Sequence, residues 1–468
     1  MTKNKIIFIL VVFSVFISVA YAAELIKAKE VSFSNGMSGL KANNVQDAIS
    51  ELYNKNISET SCKNVSAPKL GEGLIPVTID SDGTVTYADT LKSWYNYCDK
   101  RWANAVILED NTNYKTGDII QESDIQSYFV WIPKYKYKLW NTGTSSKGVH
   151  EIDIVFDETD TTDVEGISCK TPMISGESGN CKNGEYMTHP AFISMNTNGF
   201  WVGKFETGYR GATSTAAAQV NANDTSKIII KPNVYSWRNI TVYNEFLNSY
   251  NYQRGLDSHM MKNTEWGAVS YLSHSKYGLE YELNINNNSS YKTGYSALPS
   301  TNQQTYPATS GDGTTYNSAY NTDIGYLAST SGNISGVYDM SGGAWEYVSA
   351  YITGKLGSSG FSTTTLANYD SKYFDVYNAS STVATYQYRI LGDATGEMGP
   401  FKQYLDGDNA SRYHSSWYGD SSYFVDFSNP WFVRGGHYTY GVVAGAFAFN
   451  GYTGGTNVYG GYRIVLTP

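Results

Sequence analysis

Three glutamates, Glu206, Glu265 and Glu346, each adjoin an aromatic residue in the sequence. A carboxyl group against an apolar ring loses solvation, which raises its pKa towards the range that a general acid or base needs. The same placement serves a structural role, in which the carboxylate accepts hydrogen bonds from backbone amides or from the adjoining indole. We favour the structural role, which is the commoner one for such carboxylates, and assign no catalytic residue.

The side chains that most often hold metal ions do not cluster in this sequence. Asn286 to Asn288 lie in a polar stretch whose oxygen spacing matches no established calcium motif. His259 and His274 flank a predicted helix at a spacing that no single helix face shares. We therefore predict no metal and no cofactor, and we interpret six histidines as surface or structural residues: His150, His189, His259, His274, His414 and His437.

The N-terminus has the pattern of a secretion signal over residues 1–22. Lys3 and Lys5 precede an apolar run that extends from residue 6 to residue 19, and Ala20-Tyr21-Ala22 is a small-x-small cleavage site. We expect cleavage after Ala22 and secretion of the protein. The secreted protein could either be released or stay attached to the cell surface. The alternative is a retained membrane anchor, although the run is shorter than the roughly 20 residues of a membrane span.

Export favours disulfide formation among the cysteines, which are Cys62, Cys98, Cys169 and Cys181. Four cysteines allow three pairings, and the simplest joins Cys62 to Cys98 and Cys169 to Cys181, because each bond then closes a local loop. No two of them have C-x-x-C spacing, so the sequence supports neither a zinc motif nor a redox motif.

Composition narrows the range of partners. The net charge is -9 and no basic patch is present, which argues against a nucleic-acid partner. Tyrosine is abundant, with 41 residues spread along the chain. Tyrosine supplies a rigid amphipathic contact surface, and recognition surfaces use it heavily. It also favours strands, so its abundance is equally typical of a secreted protein rich in β-structure.

Residues 23–60 predict a short strand–helix leader or stalk. Asn44 can cap a helix over 43–53, whose apolar side chains fall on one face. The phrase from 38 to 52 resembles a segment common in trimeric phage tail fibres, which implies a homotrimer through the leader. The alternative is a helix docked on its own domain.

Residues 61–185 predict an accessory domain. The stretch 77–87 alternates as a hairpin with Asp82-Gly83 at its turn. We expect a helix from Trp94 to Ala105, a buried strand from Tyr128 to Ile132 and a second strand from Tyr135 to Trp140. The polar stretch 157–184 is interpreted as a loop stapled by cysteines.

Residues 186–468 predict a second, larger domain. A strand is expected over 199–207, and two helices over 241–250 and 263–272, with Thr241 as a cap for the first. The stretch 281–332 has little apolar periodicity, which predicts long surface loops.

Four landmarks of this region resemble, in order, the formylglycine-generating-enzyme (sulfatase-modifying factor) family. The resemblance implies an α+β fold: a C-type-lectin-like domain with two helices, twisted antiparallel sheets and long loops, preceded by a small mixed N-terminal region. Fold alone does not settle function. The landmarks are Phe200-Trp-Val-Gly-Lys-Phe-Glu-Thr207, Val234-Tyr-Ser-Trp237 with Asn263-Thr-Glu-Trp266, Gly336-Val-Tyr-Asp-Met-Ser-Gly-Gly-Ala-Trp-Glu-Tyr347, and Arg434-Gly-Gly436 with Gly461-Tyr-Arg463.

The sequence departs from that family where the family's oxidase does its chemistry. The oxidase uses a pair of cysteines before the closing strand, whereas residues 436–461 contain none. Thiolate ligands for copper are therefore missing from that segment. We expect a protein that is not an enzyme.

The closing segment, 434–466, contains an unusual central stretch. Between Arg434 and Arg463 there is no charged residue and no Gln, Met or Trp. This pattern resembles the variable repeats of diversity-generating retroelements, in which adenine randomisation of Asn codons never yields Lys, Glu, Gln, Met or Trp. Ordinary glycine-rich β-structure is the alternative.

Alternation within the stretch separates core from surface. Phe447 and Phe449 share one side of a strand and are assigned to the core. The residues without a core role are predicted to bind ligand: Tyr438, Tyr440, Val442, Val443, Asn450, Tyr452, Thr453, Thr456, Asn457, Val458 and Tyr459.

The sequence thus predicts a secreted or surface-displayed binding protein, bacterial or phage-derived, that recognises a protein or glycan on another cell or phage surface. One alternative is a formylglycine-generating-enzyme-like oxidoreductase or modifying factor with altered chemistry. Another is a structural cell-surface or pilus-like component.

Overall fold

The computed structural model of the protein describes residues 64–109, 112–138, 152–157, 187–297, 318–377, 414–415, 420–423 and 425–468, together with Asn44, Val45 and Ala48. The chain divides into two compact units, Met1–Lys63 and Asn64–Pro468. In the first unit Val45 and Ala48 are helical, and the amide of Ala48 donates to the carbonyl oxygen of Asn44 at 3.0 Å. These residues confirm the start of the helix predicted over 43–53.

The second unit combines a few helices with many strands. Its helices are α1 (Pro190–Ser194), α2 (Val242–Tyr252), α3 (Asn263–Ser273) and α4 (Thr363–Leu366). Its strands are β1 (Ile75–Ile79), β2 (Val85–Tyr87), β3 (Asn104–Leu108), β4 (Ile119–Ile120), β5 (Ile125–Pro133), β6 (Tyr135–Lys138), β7 (Asp153–Phe156), β8 (Met187–Thr188), β9 (Gly199–Gly203), β10 (Gly208–Tyr209), β11 (Ile228–Ile229), β12 (His259–Met260), β13 (Tyr295–Ser296), β14 (Ser318–Ala319), β15 (Trp345–Ile352), β16 (Asp375–Tyr377), β17 (His414–Ser415), β18 (Ser421–Ser422), β19 (Trp431–Gly435), β20 (Gly445–Tyr452), β21 (Gly460–Tyr462) and β22 (Ile464–Leu466).

An eight-stranded sheet joins the two regions that the sequence suggested were separate domains. Its order is β12-β22-β9-β5-β3-β1-β2-β4, and every neighbouring pair is antiparallel. β5 pairs with β9 across the predicted boundary at residue 185, with Trp131 opposite Trp201. The sheet therefore pairs strands from both sides of that boundary, and residues 64–468 form one compact unit. Paired strands share backbone hydrogen bonds and a buried face, which local sequence patterns do not reveal.

A seven-stranded sheet carries the C-terminal segment. β15 pairs antiparallel with β19, which pairs antiparallel with β20, while β21 runs parallel to β15 along its other edge. The chain then passes from β21 to β22 of the eight-stranded sheet through Arg463, which is fully buried. Arg463 donates to the carbonyl oxygen of Gly203 at 2.7 Å and to both carboxylate oxygens of Glu346, at 2.9 and 2.5 Å. It thus holds the two sheets together, which explains an arginine at the end of the chain's last landmark.

The two long helices form where the sequence predicts them. α2 begins after Thr241, whose hydroxyl accepts from the amide of Asn244 at 3.5 Å. α3 is buried on all sides, and Trp266 is fully enclosed. The hairpin is also confirmed, with Gly83 at φ +91° in its turn. The helix predicted from Trp94 to Ala105 is wrong: the stretch forms a single 3₁₀ turn (Tyr97–Asp99) and then enters β3.

The described residues make this an α+β protein with few helices and several antiparallel sheets. Cys98 is disulfide-bonded. The signal segment, the stapled loop and the other three cysteines lie outside the described residues, so their pairing stays a prediction. None of the helices within the described ranges combines the length and the apolarity that a bilayer crossing demands.

Candidate functional site

The predicted ligand-binding residues lie on two loops and one strand end of the seven-stranded sheet. We call residues 437–443 the first loop and residues 453–459 the second loop. Between them β20 packs Phe447 and Phe449 into the core, where both are fully buried. The ring of Phe447 lies 4.6 Å from that of His274, which follows α3. The prediction that these two phenylalanines belong to the core is confirmed.

The opposite face of the sheet presents aromatic residues beneath the loops. Trp345 and Tyr347 are two residues apart on β15 and therefore point to the same side. The ring of Tyr452, at the end of β20, lies 6.5 Å from that of Trp345 and 6.4 Å from that of Tyr347. This aromatic layer forms the floor of the candidate surface.

The second loop has a backbone fixed at almost every residue. Four backbone amides from outside the loop donate to its carbonyl oxygens: those of Ser358, Val242, Asn239 and Trp345. The hydroxyl of Tyr347 donates to a fifth. The pairs are Ser358 to Thr453 at 2.7 Å, Val242 to Gly454 at 3.0 Å, Tyr347 to Gly455 at 3.2 Å, Asn239 to Asn457 at 2.9 Å and Trp345 to Tyr459 at 2.8 Å. The loop therefore has a defined course, set by the segment before α2 and by β15.

Arg238 supports the second loop from below. Its guanidinium donates to the carbonyl oxygen of Val458 and to the carbonyl oxygen and hydroxyl of Thr215. The guanidinium carbon also lies 3.6 Å from the ring centroid of Tyr291, a cation–π distance. Tyr291 in turn packs edge-on against Tyr438 of the first loop at 4.8 Å. One buried arginine thereby links both loops to the body of the protein.

The chain turns sharply into the first loop at Gly435 and Gly436, which have φ of +87° and +77°. A Cβ on Gly436 would lie 2.5 Å from that of Ala444, so a side chain is excluded on steric grounds as well. Beyond the turn, the amide of Tyr438 donates to the carbonyl oxygen of Gly343 at 2.9 Å. The Arg-Gly-Gly landmark is thus explained by backbone geometry.

His437 stands at the centre of the aromatic contacts that join the two loops. Its ring stacks on Tyr459 of the second loop, with centroids 4.5 Å apart and planes 14° apart. It meets Tyr440 edge-on at 4.3 Å, and Trp345 lies 6.4 Å away. Burial lowers the pKa of His437 to about 4, so the ring is neutral at pH 7. A neutral ring is well suited to this apolar position.

The predicted residues divide into half-buried and exposed groups, and none that can be placed is buried. Val458 and Tyr459 are 42% and 40% exposed. The side chain of Val442 lies outside the described part, although its backbone forms a 3₁₀ turn. The exposed group comprises Thr453, Thr456, Val458 and Tyr459. The half-buried group comprises Tyr438, Tyr440, Val443, Asn450, Tyr452 and Asn457.

Sequence reasoning missed several residues of the candidate surface. Thr439 is exposed in the first loop, and its hydroxyl lies 3.0 Å from Nδ1 of His437. His437, Trp345 and Arg238 support the surface from inside. An aromatic residue directly after the Gly-Gly turn was the available signal for His437; nothing local in the sequence indicates the roles of Trp345 and Arg238, which depend on long-range contacts.

The three glutamates have structural partners. Glu206 accepts from the amide of Ala344 at 2.7 Å, and Glu265 accepts from the amide of Lys262 at 2.8 Å. Glu346 pairs with Arg463. Burial raises the pKa of Glu346 to about 7, against the opposing effect of that arginine. Among the described residues, no group of three or more His, Cys, Asp or Glu is arranged to hold a metal ion.

A scan against protein-family models gives no match for this chain, and a search of curated proteins gives none either.

Proposed function

We propose that this protein is a ligand-binding protein that presents the two C-terminal loops to a protein or glycan on another cell or phage surface. One observation carries the proposal: the backbone of the second loop is fixed by hydrogen bonds from neighbouring elements, while the side chains of Thr453, Thr456, Val458 and Tyr459 remain exposed. Binding to such a surface orders little backbone, which lowers the entropic cost of association.

The composition of the surface supports the same proposal. Tyrosines with hydroxyl and amide side chains combine apolar area with adaptable hydrogen bonding, as antibody binding loops do. The sheet beneath supplies a rigid support, and rigid scaffolds commonly carry binding residues on their loops. The C-type-lectin-like assignment and secretion belong to this proposal, and so does a homotrimer formed through residues 23–60.

Diversification by a retroelement is part of the proposal and has a genomic test. The exposed loop positions are those where substitution leaves the backbone bonds intact. A reverse-transcriptase gene nearby, with a near-copy of codons 434–463 that differs only at adenines, is the expected finding. Absence of both would leave a fixed binding surface.

The biochemical test uses the purified full-length protein and a variant in which five exposed residues become alanine: Thr439, Thr453, Thr456, Val458 and Tyr459. Both are screened on a glycan array and against a displayed peptide library. We expect a ligand that binds the parent protein and not the variant, at unchanged thermal stability. A matched control truncates Tyr281, Leu91, Ile119, Leu327 and Phe427, which are exposed and lie outside the two loops.

Two results would overturn the binding proposal. One is oxygen consumption with a thiol substrate, or a stoichiometric bound metal with protein ligands, which would favour the oxidoreductase alternative. The other is ordered self-assembly of the purified protein that the five-residue variant retains, together with no ligand in either screen. That outcome would favour a structural surface component.

A further inference from the structure

The candidate surface has no formal charge of its own. The stretch between Arg434 and Arg463 contains no Asp, Glu, Lys or Arg, and His437 is held neutral by its apolar surroundings. The guanidinium of Arg238 lies beneath the loops, where the ring of Tyr291 covers it and the oxygens of Val458 and Thr215 accept its hydrogen bonds. Arg238 is only 1% exposed, so a ligand on the surface makes no direct hydrogen bond with its guanidinium.

The surface is also small. It offers about a dozen side chains, whereas a standard protein–protein interface uses roughly 20–30 residues on each side. Its central feature is a flat aromatic step, in which Tyr459 is 40% exposed and stacks on His437. Hydroxyl and amide groups surround this step, and they come from Thr439, Thr456 and Asn457.

Among the residues that the structure describes, two buried hydrogen-bond donors beneath the step have no acceptor. The indole Nε1 of Trp345 and the hydroxyl of Tyr291 are both buried, and neither has a hydrogen-bond partner in the described part of the protein. Trp345 contacts His437, Tyr440 and Tyr452, and Tyr291 contacts Tyr438. Both side chains lie beneath the exposed residues, so they support the aromatic step and are not themselves reached by a ligand on the surface.

We propose that the ligand is a neutral oligosaccharide, one sugar ring of which stacks on Tyr459 while its hydroxyl groups bond with the threonine and asparagine side chains around it. This inference rests on the proposed binding function and narrows its ligand class. A sugar ring has an apolar C–H face that suits an aromatic ring and a periphery of hydroxyl groups. Such a sugar carries no charge, and neither does the candidate surface. Its size also suits a surface of about a dozen side chains.

The test uses a glycan array that contains neutral oligosaccharides of hexoses and N-acetylhexosamines beside sialylated and sulfated ones. The tightest neutral oligosaccharide is then titrated by calorimetry at 50 mM and 500 mM NaCl. We expect binding to neutral glycans, an affinity that changes less than about twofold between the two salt concentrations because no ion pair is involved, and a loss of at least tenfold in Tyr459→Ala.

Two further variants separate the contributions. Thr456→Ala removes an exposed hydroxyl of the candidate surface, and we expect a several-fold loss of affinity with the array pattern preserved. Tyr281→Ala truncates a tyrosine that is 71% exposed outside the two loops, and we expect the parent affinity. Equal losses in Tyr281→Ala and Tyr459→Ala would contradict the assignment of the sugar to this surface.

The outcomes distinguish this inference from the broader proposal. Binding only to acidic glycans, or a tenfold fall in affinity at high salt, would overturn the neutral-sugar inference and leave the binding function standing. Binding only to displayed peptides, if Tyr459→Ala abolishes it, would also overturn the neutral-sugar inference and leave the binding function standing. Absence of any ligand in both screens would count against both.

Discussion

Arg238 provides the sharpest test of the idea that buried contacts fix the course of the second loop. The substitution Arg238→Met keeps the aliphatic stem and removes the guanidinium, with its bonds to the oxygens of Val458 and Thr215 and its stacking on Tyr291. The residue is only 1% exposed, so water cannot replace the lost donors easily.

The magnitude follows from these contacts. A hydrogen bond from a charged donor contributes about 1.5–3 kcal/mol, and a desolvated cation–π contact contributes about 1–2 kcal/mol. We expect the free energy of unfolding to fall by roughly 3–5 kcal/mol, less than the sum of all these contacts, because removing the guanidinium also removes the cost of burying its charge. The bond to Val458 alone accounts for about 2 kcal/mol, which corresponds to a roughly 30-fold rise in local opening of the second loop.

The assay is amide hydrogen exchange followed by mass spectrometry, combined with urea unfolding. The informative amides are those of Trp345 and Gly460, which donate to the carbonyl oxygens of Tyr459 and Asn457. Both should lose protection in Arg238→Met, whereas amides of the eight-stranded sheet should keep theirs.

Arg254 supplies a matched control. Its guanidinium carbon lies 3.6 Å from the ring centroid of Tyr250, and it donates to the carbonyl oxygens of Tyr250 and Ser258 at 3.0 and 3.2 Å. Arg254→Met therefore removes similar contacts at a different place, and the second loop should exchange as in the parent protein. Unchanged exchange of Trp345 and Gly460 in Arg238→Met, or the same change in both variants, would refute the proposed support.

Three other predictions follow from the same contacts. Gly436→Ala should destabilise the protein by more than about 2 kcal/mol in urea unfolding, because φ is +77° and the new Cβ would lie 2.5 Å from the methyl carbon of Ala444. Thr439 lies nearby in the first loop and is exposed. Thr439→Ala should therefore change the free energy of unfolding by no more than about 0.5 kcal/mol. Arg463→Met should lower the free energy of unfolding by about 3–5 kcal/mol, because it leaves the buried charge of Glu346 without a partner. Adding Glu346→Gln should recover part of that loss, since it removes the unpaired charge. Equal stability of the single and double variants would argue against this coupling. Because the pKa of His437 is lowered to about 4 in the folded state, its neutral form contributes stability that is complete above pH 6.5 and is lost as the pH falls towards 4. Thermal unfolding of His437→Gln should therefore depend less on pH over that range than thermal unfolding of the parent protein does. The same pH dependence in both proteins would contradict the assignment.

Local patterns in the sequence predicted those elements whose own residues determine them. α2 and α3 have apolar side chains at helical spacing, and Thr241 caps the first of them. The hairpin of β1 and β2 carries its own turn residues, Asp82 and Gly83. Such elements need no information from distant parts of the chain.

The failures lie where tertiary contacts override local preference. The stretch from Trp94 to Ala105 has the apolar content of a helix, but Ala105 pairs with Phe129 of β5 and with Pro76 of β1. The side chain of Tyr97 donates to the carbonyl oxygen of Trp131 at 2.6 Å, far along the sequence. These strand partners lie about 25–30 residues away on either side, so the buried β-pairing outweighs a weak helical propensity.

The candidate surface shows the same division between local and long-range information. Alternation along β20 was sufficient to separate Phe447 and Phe449 from Asn450 and Tyr452. The supports of the loops are distant in sequence: Arg238 reaches Val458 and Trp345 reaches Tyr459. The sequence could not predict the roles of Arg238 and Trp345, because no periodicity within 434–466 encodes a contact with a residue a hundred or more positions earlier.

These supports also indicate which positions of the closing segment should tolerate substitution and which should not. Arg463 is required by Glu346 and by the crossing between the two sheets, and Gly436 by a turn that leaves no room for a Cβ. The exposed residues of the second loop contribute their backbone carbonyl oxygens to the fold and their side chains to the solvent. A substitution there changes an exposed side chain without removing a bond that fixes the loop, which is the property that the proposed binding surface needs.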